Sequence, residues 1–141
     1  MLEFLVKNSE HASFDFKGGD RLSVQCNAPK NSSGIYTIYA EEIKPENLIY
    51  IGISGREGTD GQIIHRKDGI GGRIAKGKQF GEPRRKSWPE KMKEDGISKI
   101  HVKWFVTYGK LNQDFPRPIE NKLLRLSLAL KEKLPLWNKE T

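Results

Sequence analysis

Two tripeptides built from the same three residue types stand out in the sequence. Gly-Ile-Tyr occupies positions 34–36 and Tyr-Ile-Gly positions 50–52, each within a short run of β-branched and aromatic residues. Later in the chain come an arginine, a glutamate and an asparagine, at Arg73, Glu120 and Asn138. Hydrolysis of a phosphodiester needs a positioned water, an acceptor for its proton, and positive charge where the phosphorane becomes negative. Phenol, guanidinium and carboxylate groups can supply these functions.

The ordered set of residues resembles the GIY-YIG nuclease family. Either tripeptide alone occurs by chance, but here two tripeptides, an arginine at a helix start, a third strand, a helical glutamate and a terminal Pro-x-Trp-Asn follow the family's order. The resemblance extends from about Gly34 to Lys139. It implies metal-dependent hydrolysis of DNA phosphodiester bonds, and the chain is most similar to the compact restriction-type endonucleases of the family.

The resemblance also implies a role for each residue of the set. Tyr36 and Tyr50 would organise the attacking water, with Tyr36 as its general base, and Arg73 would contact the scissile phosphate. Glu120 would be the single protein ligand of a divalent metal, and Asn138 would support the site. With one carboxylate bound, the metal would be Mg²⁺ or Mn²⁺, completed by water and phosphate oxygens.

A phenol is an unusual base. An unperturbed tyrosine has a pKa of about 10, so only about one molecule in a thousand is ionised at pH 7. Nearby cations must therefore stabilise the phenolate if a tyrosine is to accept the proton of water. A metal ion and Arg73 are the cations that the resemblance supplies for this purpose.

The segment at residues 54–72 departs from the family pattern. It is rich in glycine and charge and separates Gly52 from Arg73 by about twice the usual number of residues. The extra length makes Arg66 a rival of Arg73 for the phosphate. Many relatives also carry a histidine or tyrosine one helical turn beyond the arginine. This chain has Gly77 there, so either a neighbouring lysine substitutes or that group is absent.

Residues 72–78 have the spacing of a phosphate-binding P-loop, with glycines at both ends of the interval and a lysine after the second. Gln79 replaces the serine or threonine that would bind Mg²⁺, and an irregular glycine-rich stretch precedes the segment where a buried strand is required. We therefore predict no nucleotide cofactor.

Positive charge is concentrated between Lys76 and Lys93. The whole chain carries a formal net charge of +7, which favours a polyanionic partner. Cations there could follow a phosphate backbone while an indole packs on a sugar or base. The alternative is a solvated helix face with one core tryptophan. We predict DNA contacts from six residues of this stretch: Lys76, Lys78, Arg84, Arg85, Lys86 and Trp88.

The pattern of apolar residues predicts the elements that position these side chains. β-Branched and aromatic runs at 35–39, 48–53 and 99–108 predict three strands, and leucines at helical spacing predict a helix over 119–133. Short β-type runs at 3–6, 13–16 and 22–26 predict an N-terminal β-hairpin arm. We therefore expect an α/β (α+β) fold. It has a small, mainly antiparallel, three-stranded central sheet flanked by helices, with an arm (1–33) packed on a nuclease domain (34–141).

Composition limits the classes of protein that remain. A chain of 141 residues fits one domain, and its single cysteine, Cys26, excludes a disulfide framework within the chain and fits a reducing compartment. No apolar run is long enough to span a membrane, so we expect a cytoplasmic protein without a membrane partner. Double-strand cleavage would require a homodimer or two successive nicks. Two other functions stay open: a catalytically idle nucleic-acid-binding module and a basic protein-interaction domain.

Overall fold

The apolar runs predicted as strands form the centre of the main sheet. The computed structural model describes residues 5 and 7–140, without the side chains of 139 and 140. The main strands are β1 (His11–Lys17), β2 (Ser33–Ala40), β3 (Leu48–Ser54) and β8 (Lys99–Tyr108). They lie in the order β1–β8–β2–β3, and every neighbouring pair is antiparallel.

The remaining elements flank this sheet or lie in its connections. The helices are α1 (Leu22–Gln25), α2 (Gly69–Lys76), α3 (Arg84–Glu94) and α4 (Pro116–Lys131), with 3₁₀ turns at Pro45–Asn47 and Leu136–Glu140. Two small ribbons pair β4 (Arg56–Glu57) with β5 (Ile63–Ile64) and β6 (Lys78–Gln79) with β7 (Glu82–Pro83). In the described part of the chain, none of the helices has the length and apolar character that crossing a bilayer requires.

Strand β2 is buried on both faces because its side chains alternate between two hydrophobic cores. On one face, Tyr36 belongs to the core that Ile74 of α2 and Trp88 of α3 complete. On the other face, Ile35 packs in a second core with Leu123 of α4. Alternation along the strand therefore directs Tyr36 toward α2 and α3, and its neighbour toward α4.

The predicted fold class is confirmed: the sheet is mainly antiparallel and helices flank it. It has four strands rather than three, because β1 of the N-terminal arm pairs with β8 along its whole length. The predicted hairpin of the arm is wrong, since residues 22–25 form helix α1. One helical turn there buries Leu22 and leaves Val24 in solvent, which overrides a weak local preference for strand. The run at 3–6 lies outside the described residues except for Leu5, which is helical and buried.

Candidate active site

Tyr36 and Tyr50 lie side by side on one face of the sheet. Between β2 and β3, Tyr36 is opposite Gly52, and Tyr50 is opposite Ile38. An offset of two residues keeps both side chains on the same face, and their ring centroids are 5.9 Å apart. The two tripeptides therefore meet on adjacent strands and bring one phenol from each into contact.

The glycines of the two tripeptides are required by close packing. A Cβ atom at Gly52 would overlap the ring of Tyr36 and lie 2.6 Å from Cε2 of Tyr50. A Cβ atom at Gly34 would overlap the carbonyl oxygen of Phe105 on β8. Any larger residue would displace the tyrosines in the first case and separate two central strands in the second.

A fully buried arginine donates a hydrogen bond to the oxygen of Tyr36. Arg84 is the first residue of α3, and its Nη2 lies 2.7 Å from Tyr36 Oη. Its Nε donates to Gln79 Oε1 at 3.2 Å, and its Nη1 donates to the carbonyl oxygen of Arg73 at 2.8 Å. The prediction that Arg84 contacts DNA is wrong, because the residue is 0 % exposed and its three nitrogens all have internal acceptors.

Trp88 is also part of the interior, so the prediction that its indole packs on DNA is wrong as well. Its Nε1 donates to Gln79 Oε1 at 3.0 Å, and its ring packs against Trp137 with centroids 6.3 Å apart. The alternative, a core tryptophan on this helix, is what the structure has. Gln79 accepts hydrogen bonds from both Arg84 and Trp88 through one oxygen, which fixes the orientation of its amide.

A basic cleft of about 250 Å³ lies between β3, the β4–β5 ribbon, α2 and α4. None of the described Asp and Glu residues lines it. With no carboxylate to neutralise them, these cations favour an anionic ligand. The ionisable side chains in its lining are Arg56, His65, Arg66, Arg73 and Arg117.

Arg66 and Arg73 both line this cleft, so the structure does not choose between them for contact with a phosphate. Burial, followed by the charge of Arg73, lowers the pKa of the Arg66 guanidinium below its ordinary value. The charge of Arg66 also interacts with Tyr36, and that of Arg73 with Tyr50. The tyrosine pair and the cleft are therefore close enough to share one electrostatic field.

Glu120 lies on α4, one turn beyond Arg117 and on the same face of the helix as that cleft residue. Its carboxyl is half-buried, and no hydrogen bond or ion pair joins it to another described residue. Desolvation raises the pKa of Glu120, and the charge of Arg117 only partly opposes this effect. A bound cation would compensate such a carboxylate, so Glu120 fits the predicted role of metal ligand.

The described residues contain no cluster of three or more His, Cys, Asp or Glu side chains that could enclose a metal ion. A site built on one carboxylate leaves most coordination positions to water and substrate. That arrangement suits a hard, hydrated cation such as Mg²⁺ better than a structural zinc ion.

Asn138 is bound to the backbone of β3. Its Oδ1 accepts the Ile51 N–H at 3.0 Å, and its Nδ2 donates to the Ile51 carbonyl oxygen at 2.9 Å. Ile51 lies between Tyr50 and Gly52, so this pair of hydrogen bonds holds the strand at the tyrosine site. Such a contact fits the supporting role that the sequence predicts for Asn138.

Four of the predicted DNA-contacting residues are exposed: Lys76, Lys78, Arg85 and Lys86. Lys76 forms an ion pair with Asp68 at 3.0 Å, whereas the other three form no ion pair with any described residue. Arg85 and Lys86 lie in the first turn of α3, where the helix dipole disfavours positive charge. These two cations therefore gain nothing from their helix, which favours an external anionic partner.

Sequence reasoning missed Arg56 and Arg117 as members of the cleft. Arg117 precedes Glu120 by three residues but lies outside the predicted helix over 119–133, so the spacing became meaningful only because α4 begins at Pro116. Arg56 has no such spacing, because it lies in the irregular segment. His65 lines the cleft too, and its Nδ1 lies 2.7 Å from Ser33 Oγ.

Comparison with known proteins adds no relative. No protein-family model, no curated protein and no solved structure matches the chain. Any function must therefore be argued from these residues and their geometry.

Proposed function

We propose that this protein is a metal-dependent endonuclease of the GIY-YIG type that hydrolyses DNA phosphodiester bonds. The observation that carries the proposal is the convergence of distant residues. Tyr36 and Tyr50 are in contact on the sheet, and Arg66 and Arg73 share their electrostatic field. Glu120 lies on α4 one turn beyond Arg117, which lines the cleft, and on the same face of the helix.

The arginines of the cleft supply the phosphate site. Arg66 and Arg73 present guanidinium groups that suit two-point hydrogen bonding to phosphate oxygens, and their positive charge opposes the negative charge of the transition state. Glu120 would hold the divalent cation, which when bound neutralises charge on phosphate oxygens. Together these groups account for binding of the substrate and for electrostatic stabilisation.

The two tyrosines have different roles in this proposal. Burial, and then the proximity of Tyr36, raises the pKa of Tyr50 well above its ordinary value, so Tyr50 stays a neutral hydrogen-bond donor. Tyr36, whose oxygen is bound by Arg84, is the acceptor for the proton of the attacking water. The water oxygen then forms a new bond to phosphorus while an ester P–O bond breaks.

The direct test is incubation of supercoiled plasmid with the purified protein. We expect nicked or linear DNA in Mg²⁺ or Mn²⁺ and unchanged plasmid in EDTA. Retained binding without any cleavage in either metal would instead support a catalytically idle nucleic-acid-binding module. Cleavage that persists in EDTA would contradict the assignment of Glu120 as a metal ligand.

Neutralising the exposed cations near α3 should weaken DNA binding in a salt-dependent manner. In the triple variant Lys78→Gln, Arg85→Gln and Lys86→Gln, the slope of log affinity against log salt should fall by about 2 to 3 units, since each phosphate contact contributes about 0.9. Fluorescence anisotropy with labelled duplex in EDTA measures this slope.

The matched control removes three exposed lysines from other elements, Lys17, Lys110 and Lys133. It makes the same change in net charge, so a long-range effect of charge alone would move both slopes equally. Equal slopes for the two triple variants would contradict the prediction that Lys78, Arg85 and Lys86 contact DNA.

A further inference from the structure

Arg84 is not explained by the packing of α3. It is 0 % exposed, and its acceptors are a phenol oxygen, an amide oxygen and a peptide oxygen. No Asp or Glu in the described ranges forms an ion pair or hydrogen bond with it. A buried guanidinium without a carboxylate is costly to desolvate, and apolar replacements of buried charges are often more stable. Stability alone therefore does not account for a cation at this position.

The surroundings of Arg84 hold the guanidinium in one place. Its central carbon lies 5.3 Å from the ring centroid of Tyr36, 5.3 Å from that of Trp88 and 5.9 Å from that of Tyr50. The fixed amide of Gln79 binds its Nε. Enclosed in this way, Arg84 stays directed at Tyr36 Oη, the only one of its three acceptors that can gain a negative charge.

The donors and acceptors of the Arg84–Tyr36 hydrogen bond favour the ionised form of the phenol. A phenol has one hydrogen to donate, and guanidinium can only donate, so Tyr36 must accept from Arg84. Loss of the phenolic hydrogen turns the contact into a charge-assisted hydrogen bond between opposite charges, which is the stronger kind. The buried positive charge is then balanced by Tyr36 itself.

We propose that Arg84 is a positioning residue that holds Tyr36 as the phenolate base, an inference that rests on the proposed nuclease function. Water gives its proton to the phenolate, which becomes a neutral phenol. The water oxygen forms the bond to phosphorus, and the leaving ester oxygen departs with its electron pair and takes a proton from solvent.

The other charged and titratable groups near Tyr36 differ from Arg84 in their access to substrate. Tyr50 on β3 and Arg66 interact with Tyr36, and Arg73 on α2 interacts with Tyr50 and Arg66. Arg66 and Arg73 line the open cleft, so bound phosphate neutralises their charge. Arg84 does not line the cleft, so phosphate bound there leaves its charge available to Tyr36 throughout the reaction.

Tyrosinate absorbance in the near ultraviolet tests the contact without DNA, metal or cleavage. Subtracting the pH titration of Tyr36→Phe from that of the parent gives the part of the signal that depends on Tyr36. The same subtraction is made between Arg84→Gln and the double variant Arg84→Gln, Tyr36→Phe. We expect the tyrosinate signal that depends on Tyr36 to emerge at a lower pH when Arg84 is present than when it is replaced. Emergence at the same pH in both backgrounds would overturn the proposal.

Cleavage kinetics provide the second readout. Arg84→Gln should lower kcat at pH 7 by about 10²-fold with little change in KM, and the loss should shrink as the pH rises. Arg85→Gln, the exposed neighbour, should raise KM and leave the pH profile unchanged. A pH-independent loss in Arg84→Gln would overturn the proposal, because a merely structural role predicts it.

Two further comparisons separate the possible failures. If the melting curve shows that Arg84→Gln does not fold, Arg84→Lys is used in its place, because lysine keeps the positive charge. Its tyrosinate signal should stay near that of the parent. Loss of that signal in Arg84→Lys would overturn the inference. A parent protein that shows the spectroscopic shift but never cuts DNA would refute the nuclease function and leave the coupling of Arg84 to Tyr36 intact.

Discussion

Glu120→Gln is expected to abolish metal-dependent cleavage while leaving DNA binding nearly unchanged. Removing the only predicted protein ligand of the cation should lower the rate by about 10³-fold or more, the equivalent of several kcal/mol of transition-state stabilisation. The amide keeps the size of the carboxyl, so the packing of this half-buried side chain of α4 is preserved. Plasmid cleavage gives the rate, and anisotropy in EDTA gives the affinity.

The same variant should be slightly more stable than the parent. Desolvation raises the pKa of Glu120, so the folded chain holds that proton more tightly than the unfolded chain. Well below the ordinary glutamate pKa of about 4.3 both states are protonated and Glu120 costs nothing; the penalty grows as the pH rises from that value to the raised pKa and is complete above it. Because the side chain is only half-buried, solvent screening limits the penalty to a few tenths of a kcal/mol, or about 1 to 2 °C in Tm.

Metal dependence completes this test. Mg²⁺ should raise the Tm of the parent and not that of Glu120→Gln, since only the parent binds the ion in its folded state. Glu90→Gln, an exposed glutamate on α3, should match the parent in rate and in response to Mg²⁺. Parental cleavage by Glu120→Gln would show that another group holds the metal.

Tyr36→Phe is expected to cause the second large loss, about 10³-fold in rate, because it removes the proton acceptor and nothing else from the ring. The phenylalanine ring can still pack over Gly52. The lost oxygen leaves Arg84 Nη2 without its acceptor, which should destabilise the fold by about 1 to 3 kcal/mol. Cleavage must therefore be measured well below the Tm of the variant.

Tyr39→Phe is the matched control, since Tyr39 is a buried tyrosine of the same strand and does not contact Arg84. It should cut at the parental rate. If Tyr36→Phe, folded and binding DNA, cuts as fast as this control, the water must lose its proton to another group.

The sequence was sufficient to predict the central strands and the placement of the tyrosines. The runs that became β2, β3 and β8 are rich in β-branched and aromatic residues, which is a local property. The register of β2 with β3 then places Tyr36 beside Tyr50. The pairing of β1 with β8 could not be predicted in the same way. This pairing depends on which strand far along the chain leaves an edge of the sheet unpaired, and the sequence of one segment does not show that.

Arg84 and Trp88 show why part of the site was assigned incorrectly. A segment with several cations and one tryptophan can form a DNA-binding surface. The same composition also occurs at the start of a helix whose first residue is buried, so composition alone does not distinguish the two. What decided the outcome were acceptors elsewhere in the chain, the phenol of Tyr36 and the amide of Gln79. The sequence singled out Gln79 only as a mismatch to a P-loop.

The hydrogen bonds of Asn138 also bear on the outer edge of the sheet. β3 is the outermost strand on its side of the sheet, and an unpaired outer strand invites another chain to join it. At Ile51 the amide of Asn138 fills the place that a fifth strand would take. The Ile51 N–H and carbonyl are therefore already paired, and a further strand could not use them.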